Sequence, residues 1–187
     1  MNRIFLVLAL IANALIALTL ALGWRIGDPR GLDPATADAL ALHFLVALGT
    51  CILVLLVHAV ALTYFMGTGR WIEETCEAYS LGDEARRANI QLKFQAIPGM
   101  VVCFLLVLAT GAFGASADPA STTSISRADL IHFTLAVTLL TTNAIVNWWQ
   151  YRCIARNGQI VNEIVDEVRR IRREKGLDSP AAAAATS

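Results

Sequence analysis

The chain has 187 residues, 56% of them hydrophobic and 16% charged, and its fifteen basic and fifteen acidic side chains leave no formal net charge. That apolar share is too high, and the charged share too low, for an ordinary soluble domain. Basic side chains balanced by acids and not interleaved with aromatics also argue against a nucleic-acid partner.

Four uncharged stretches divide the sequence: Ile4–Trp24, Ala39–Gly69, Phe94–Ala117 and Leu130–Tyr151. Each reaches the length of about 20 apolar residues that a helix needs to cross a bilayer. The fold class expected is an all-α membrane protein, a four-transmembrane-helix up-down bundle. Residues 1–157 form the membrane domain, with a helical hairpin over 70–93, an amphipathic helix over 158–177 and a disordered tail over 178–187. Of the fifteen Lys and Arg, twelve precede span one, lie between spans two and three or follow span four, and three lie in the other two connections. The positive-inside rule then places both termini and the hairpin in the cytoplasm of a plasma or inner membrane.

The first span, 21 residues without a charge, is longer than the roughly 7–15 apolar residues of a secretory signal and reads as a retained helix. After it, Gly27–Pro34 is a turn in which Asp33 and Pro34 read as an N-cap and first helical position. Span two leads into the hairpin, where Ser80–Asp83 is a turn and Pro98-Gly99 marks a kink at the start of span three. Thr110, Gly111, Gly114 and Ala115 give span three a small-residue face for close helix contact. A polar loop over 116–123 follows, with Ser126 and Asp129 resembling a capping box. Trp148, Trp149 and Tyr151 form an aromatic anchor matched by Tyr64, Phe65 and Trp71.

Asn157-Gly158 is a possible break. Beyond it Val161, Ile164, Val165, Val168 and Ile171 make an apolar stripe, with Asp166 and Arg170 spaced for an ion pair on the polar side. A helix this short needs something to dock on: the hairpin, another subunit or the membrane surface. The four cysteines, Cys51, Cys76, Cys103 and Cys153, have neither disulfide nor metal spacing and read as packing thiols.

One repeated feature suggests chemistry. Span two opens Asp38-Ala39-Leu40-Ala41-Leu42-His43-Phe44 with Ala47 one turn on, and span four opens Asp129-Leu130-Ile131-His132-Phe133 with Ala136 one turn on. Histidines at membrane depth are rare and usually point into the bundle. In an up-down bundle spans two and four are diagonal neighbours, so His43 and His132 face each other near the outer surface. Two neutral imidazoles there could hold the iron of a haem b, with Ala47 and Ala136 leaving room for the ring. The alternatives are interfacial histidines hydrogen-bonded to a backbone carbonyl or an outer-loop Asp, and a copper or other metal site. Counted from the presumed caps, the two histidines differ in depth by four residues, about 6 Å. His58 lies too far along span two to share a metal with His43 and reads as a hydrogen-bonded core residue near a quinone or a partner.

No nucleophile–His–carboxylate set stands out, so no catalytic residue is assigned. The function expected is a small integral membrane subunit that packs laterally against other membrane proteins or itself, in a redox or respiratory complex, with one bis-histidine haem b for electron transport. A cofactor-free structural or assembly protein and a stand-alone quinone-linked electron carrier are the alternatives.

Overall fold

The computed structural model describes residues 1–26, 34–122 and 125–177. The Asp33 cap, most of the first turn and the tail beyond residue 177 lie outside the described residues. Four helices account for nearly everything else: α1 (Asn2–Arg25), α2 (Pro34–Ala78), α3 (Glu84–Ala117) and α4 (Ala128–Glu174). Each is long and apolar enough to cross a membrane. The 45 residues of α2 and 47 of α4 rise about 70 Å at 1.5 Å per residue, more than twice a hydrocarbon core of about 30 Å. Both helices must therefore continue well outside any membrane they cross.

Chain neighbours pack side by side, most extensively α3 with α4, and α1 also packs on α4. Across the middle α2 touches α4, whereas α1 and α3 share no packing among the described residues. The α2–α4 diagonal is thus the short one, and it carries all three histidines. Gly99 explains part of the α3–α4 intimacy, because a Cβ there would lie 2.9 Å from both γ-methyls of Val146. Pro98 sits inside α3 without ending it. One turn earlier, the Trp149 indole N–H donates to the Gln95 carbonyl at 3.3 Å, a neighbouring-helix contact in the stretch where proline interrupts the backbone ladder.

Two apolar cores result among the described residues. The larger joins all four helices through Phe5, Ala12, Val54, Phe65, Met100 and Ile154, among others. Phe65 is 1% exposed, so it is a core residue and not part of the aromatic anchor expected of it, while Trp148 is 61% exposed. The second core lies at the far end, where Ile72 and Cys76 of α2 meet Ile160 and Ile164 of α4, flanked by Leu81, Ala88 and Val168. The apolar stripe after Tyr151 therefore docks on the chain's own hairpin.

Three local expectations are corrected. Asn157-Gly158 does not interrupt α4. The Asn157 side chain is buried and occupied, donating to Thr68 Oγ1 at 2.9 Å and accepting from Asn89 Nδ2 at 2.8 Å. That satisfied network clamps α2, α3 and α4 together and removes the reason for a break. Next, α4 starts at Ala128 behind Arg127 in the left-handed region, with no side-chain cap, so Ser126 and Asp129 form no capping box. Finally, Asp166 pairs with Arg169, while Arg170 bridges Glu167 and Glu174. These pairs are exposed and individually worth little.

The hairpin turn is a Schellman closure. Ser80 takes φ 55°, and Leu81 N–H returns to Cys76 C=O at 2.8 Å, so Leu81 folds back onto the second core. The four cysteines are free thiols. Burial first, and Asp83 second, push the Cys76 thiol up from its ordinary pKa, which leaves it a packing group rather than a nucleophile.

Candidate functional site

At the end of the molecule opposite the hairpin, His43 of α2 and His132 of α4 come together. Their ring centroids are 6.3 Å apart and their planes cross at 87°. The depth difference reckoned from the caps does not keep them apart. His43 lies nine residues into α2 and His132 four into α4, so α2 simply starts more than a turn farther out than α4.

Each ring is held in the same way by the helix before it. His43 Nδ1 lies 3.1 Å from the Thr19 carbonyl oxygen of α1, and His132 Nδ1 lies 2.9 Å from the Thr110 carbonyl oxygen of α3. A carbonyl only accepts, so both Nδ1 atoms carry the hydrogen and both Nε2 atoms keep a lone pair. Thr19 and Thr110 in turn donate their hydroxyls one turn back, to Leu15 and Leu106. Four residues after each threonine stands a glycine on which the imidazole rests. A Cβ on Gly23 would lie 2.9 Å from His43 Cε1, and one on Gly114 would lie 2.9 Å from His132 Cε1. No side chain larger than hydrogen fits either place without moving the ring.

The molecule therefore builds one arrangement twice. Helix α1 supplies Thr19-Leu20-Ala21-Leu22-Gly23 to a histidine on α2, and α3 supplies Thr110-Gly111-Ala112-Phe113-Gly114 to a histidine on α4. In the sequence the two histidines stand out as a matched pair, whereas Thr110 and Gly114 read as a packing face and neither Thr19 nor Gly23 reads as part of a site. The recurring Thr-x-Ala-x-Gly was the signal available. Trp24 and Phe133, each next in sequence to a member of the site, pack with ring centroids 5.3 Å apart and planes tilted by 47°, joining α1 to α4 beside it. Ala47 and Ala136 are half-buried, as are the two histidines, and Thr50, one turn below Val46, is buried with its hydroxyl 3.0 Å from that of Thr19.

A histidine that ligates a metal typically donates its other ring N–H to a carbonyl or carboxylate, which fixes the tautomer and aims the ligating nitrogen. An interfacial histidine could make the same single bond. The facing pair goes further. Two imidazoles sharing one metal ion through bonds of about 2.0–2.1 Å have centroids roughly 6–6.5 Å apart when the ion lies between them. Among the described residues no group of three or more His, Cys, Asp and Glu gathers to hold an ion, so a tetrahedral zinc site lacks protein ligands here. A haem needs only two axial ligands from the protein.

His58 is elsewhere and different. It is 6% exposed, with Nδ1 3.1 Å from Gln150 Oε1 and Nε2 3.1 Å from Asn143 Oδ1. Both nitrogens are committed to amides. Comparison of the chain with protein-family models, curated proteins and solved structures finds no match.

Proposed function

We propose that the chain is a small integral membrane subunit that holds one haem b between His43 and His132, and that it serves electron transfer within a redox or respiratory complex. The observation that carries this reading is the pair of Nδ1-anchored imidazoles 6.3 Å apart, each seated on a glycine. When bound, haem supplies a one-electron iron couple. The protein's part is to present two neutral Nε2 lone pairs. Thr19 and Thr110 hold the tautomers, Gly23 and Gly114 let the rings sit close to α1 and α3, and Ala47 and Ala136 keep the space below the histidines small-sided.

The same reading places four spans in a plasma or inner membrane with both termini and the hairpin in the cytoplasm, on the strength of the twelve-to-three basic asymmetry. The haem would then lie near the outer face. Large apolar side chains such as Ile4, Phe44, Leu45, Ile52 and Ile145 are each at least 60% exposed, which suits lipid or a lateral protein partner. Cys76 is a poor topology probe because it is buried. A cysteine introduced at exposed Ala78 should react with an impermeant maleimide only after the membrane is opened, and labelling of intact cells would reverse the orientation.

The deciding experiment is optical. Protein purified in detergent from haem-replete cells should show a Soret band that shifts on reduction with dithionite, and a haemochrome assay should return one haem per chain. A colourless protein under those conditions excludes the haem and leaves a cofactor-free structural or assembly subunit.

A further inference from the structure

Asn143, Asn147 and Gln150 recur at spacings of four and three, so they share one face of α4. That face points into the bundle: the three residues are 1%, 4% and 0% exposed. His58 spans it, reaching Asn143 with one ring nitrogen and Gln150 with the other. Asn143 is tied onward, its Nδ2 donating to Asn13 Oδ1 of α1 at 3.2 Å, and Asn13 Nδ2 donates to the Ala9 carbonyl at 2.8 Å. Asn147, between the two residues His58 touches, has no hydrogen-bond partner for either polar atom among the described residues, and neither does Gln150 Nε2.

The hydrogens cannot be arranged to cure this. A neutral imidazole has one N–H, so only one of the two amide oxygens accepts from it. Turning Asn143 over would set its oxygen against Asn13 Oδ1. Turning Gln150 over lets Nε2 donate to His58 Nδ1, and Oε1 then becomes the atom without a partner. A second proton on His58 would satisfy both oxygens but leave Gln150 Nε2 bare and a cation in the core, which is costlier still. In every arrangement Gln150 keeps one orphan polar atom and Asn147 keeps a donor and an acceptor.

A partner for these atoms must both donate and accept, and it must be small, since the side chains are enclosed. An oxidised quinone head group offers acceptors only and would leave Asn147 Oδ1 unpartnered. Water meets both demands, and buried water is found where polar groups lack protein partners. We infer that Asn147, Gln150 and His58 enclose an internal hydration site in the middle of the bundle, independent of the His43–His132 centre.

The test uses the full-length protein in lipid nanodiscs and X-ray hydroxyl-radical footprinting, in which radiolysis of bound water marks adjacent side chains that bulk solvent does not reach. His58 should be modified several-fold faster than Phe65, which is comparably buried, and Asn147→Leu should bring His58 down to the Phe65 rate and lower the melting temperature. Wild-type His58 as inert as Phe65 would overturn the inference, as would a rise in melting temperature for Asn147→Leu. So would a stoichiometric extractable quinone that this variant loses. The wild-type measurement stands alone if the leucine variant fails to fold.

Discussion

The two histidine environments on the α2–α4 diagonal differ in what is left free. At the end opposite the hairpin each ring spends one nitrogen on a backbone carbonyl, keeps the other as a lone pair and rests against a glycine. In the middle, His58 is gripped at both nitrogens by amide side chains. One nitrogen fixed and one open is the arrangement that the proposed haem ligation requires, whereas both nitrogens occupied is an arrangement that ties helices together. The contrast assigns different consequences to the loss of each residue.

The largest expected effect separates them completely. With haem held as proposed, His43→Ala or His132→Ala should abolish or shift the Soret band of the purified protein, while His58→Ala should keep one haem per chain. A band left unchanged by both His43→Ala and His132→Ala, or lost with His58→Ala in a folded protein, breaks the comparison.

Next comes a control at the far end of the same two helices. Ile164→Asp with Val168→Asp buries charge in the second core and should lower unfolding stability by more than about 3 kcal/mol. The haem spectrum should be unchanged in protein that remains folded, because the two cores are separate clusters. Denaturant unfolding followed at both the Soret band and tryptophan fluorescence reads this out. Loss of haem in step with the mutation would show that the His43–His132 site depends on the second core.

His58→Ala should itself cost about 2–4 kcal/mol, since it strips hydrogen bonds from two buried amides and leaves a cavity. A melting temperature equal to that of the parent would mean that His58 holds nothing together. The smallest effect sharpens the ligand side. Gly23→Ala or Gly114→Ala inserts a methyl 2.9 Å from an imidazole carbon, which should cost about 1–3 kcal/mol by overpacking and, with haem bound, shift the Soret maximum by displacing one imidazole. An alanine variant with an unshifted band would show that the glycines serve helix packing alone.

Much of this was legible along the chain. Uncharged runs longer than a bilayer is thick produce long apolar helices whatever surrounds them, because a helix satisfies its own backbone. The matched openings Asp-Leu-Ile-His-Phe and Asp38 to Phe44 singled out His43 and His132, since local sequence is enough to place a histidine near the start of a helix. Local sequence also suggested a break at Asn157-Gly158 and a capping box at Ser126. Both readings failed, because Asn157 is claimed by Thr68 and Asn89 from other helices, and Arg127 starts α4 without a side-chain cap.

What the amino-acid order determined by itself was which segments are helical and apolar, and which polar groups they carry into the interior. Which carbonyl orients which imidazole, why Gly23 and Gly114 must lack a side chain, and why His58 meets Asn143 and Gln150 were decided only by the tertiary structure. Those relations join residues from 18 positions apart, Gly114 and His132, to 92 apart, His58 and Gln150. They exist only once the α2–α4 diagonal closes and buried donors must find acceptors on whichever helix packing brings near.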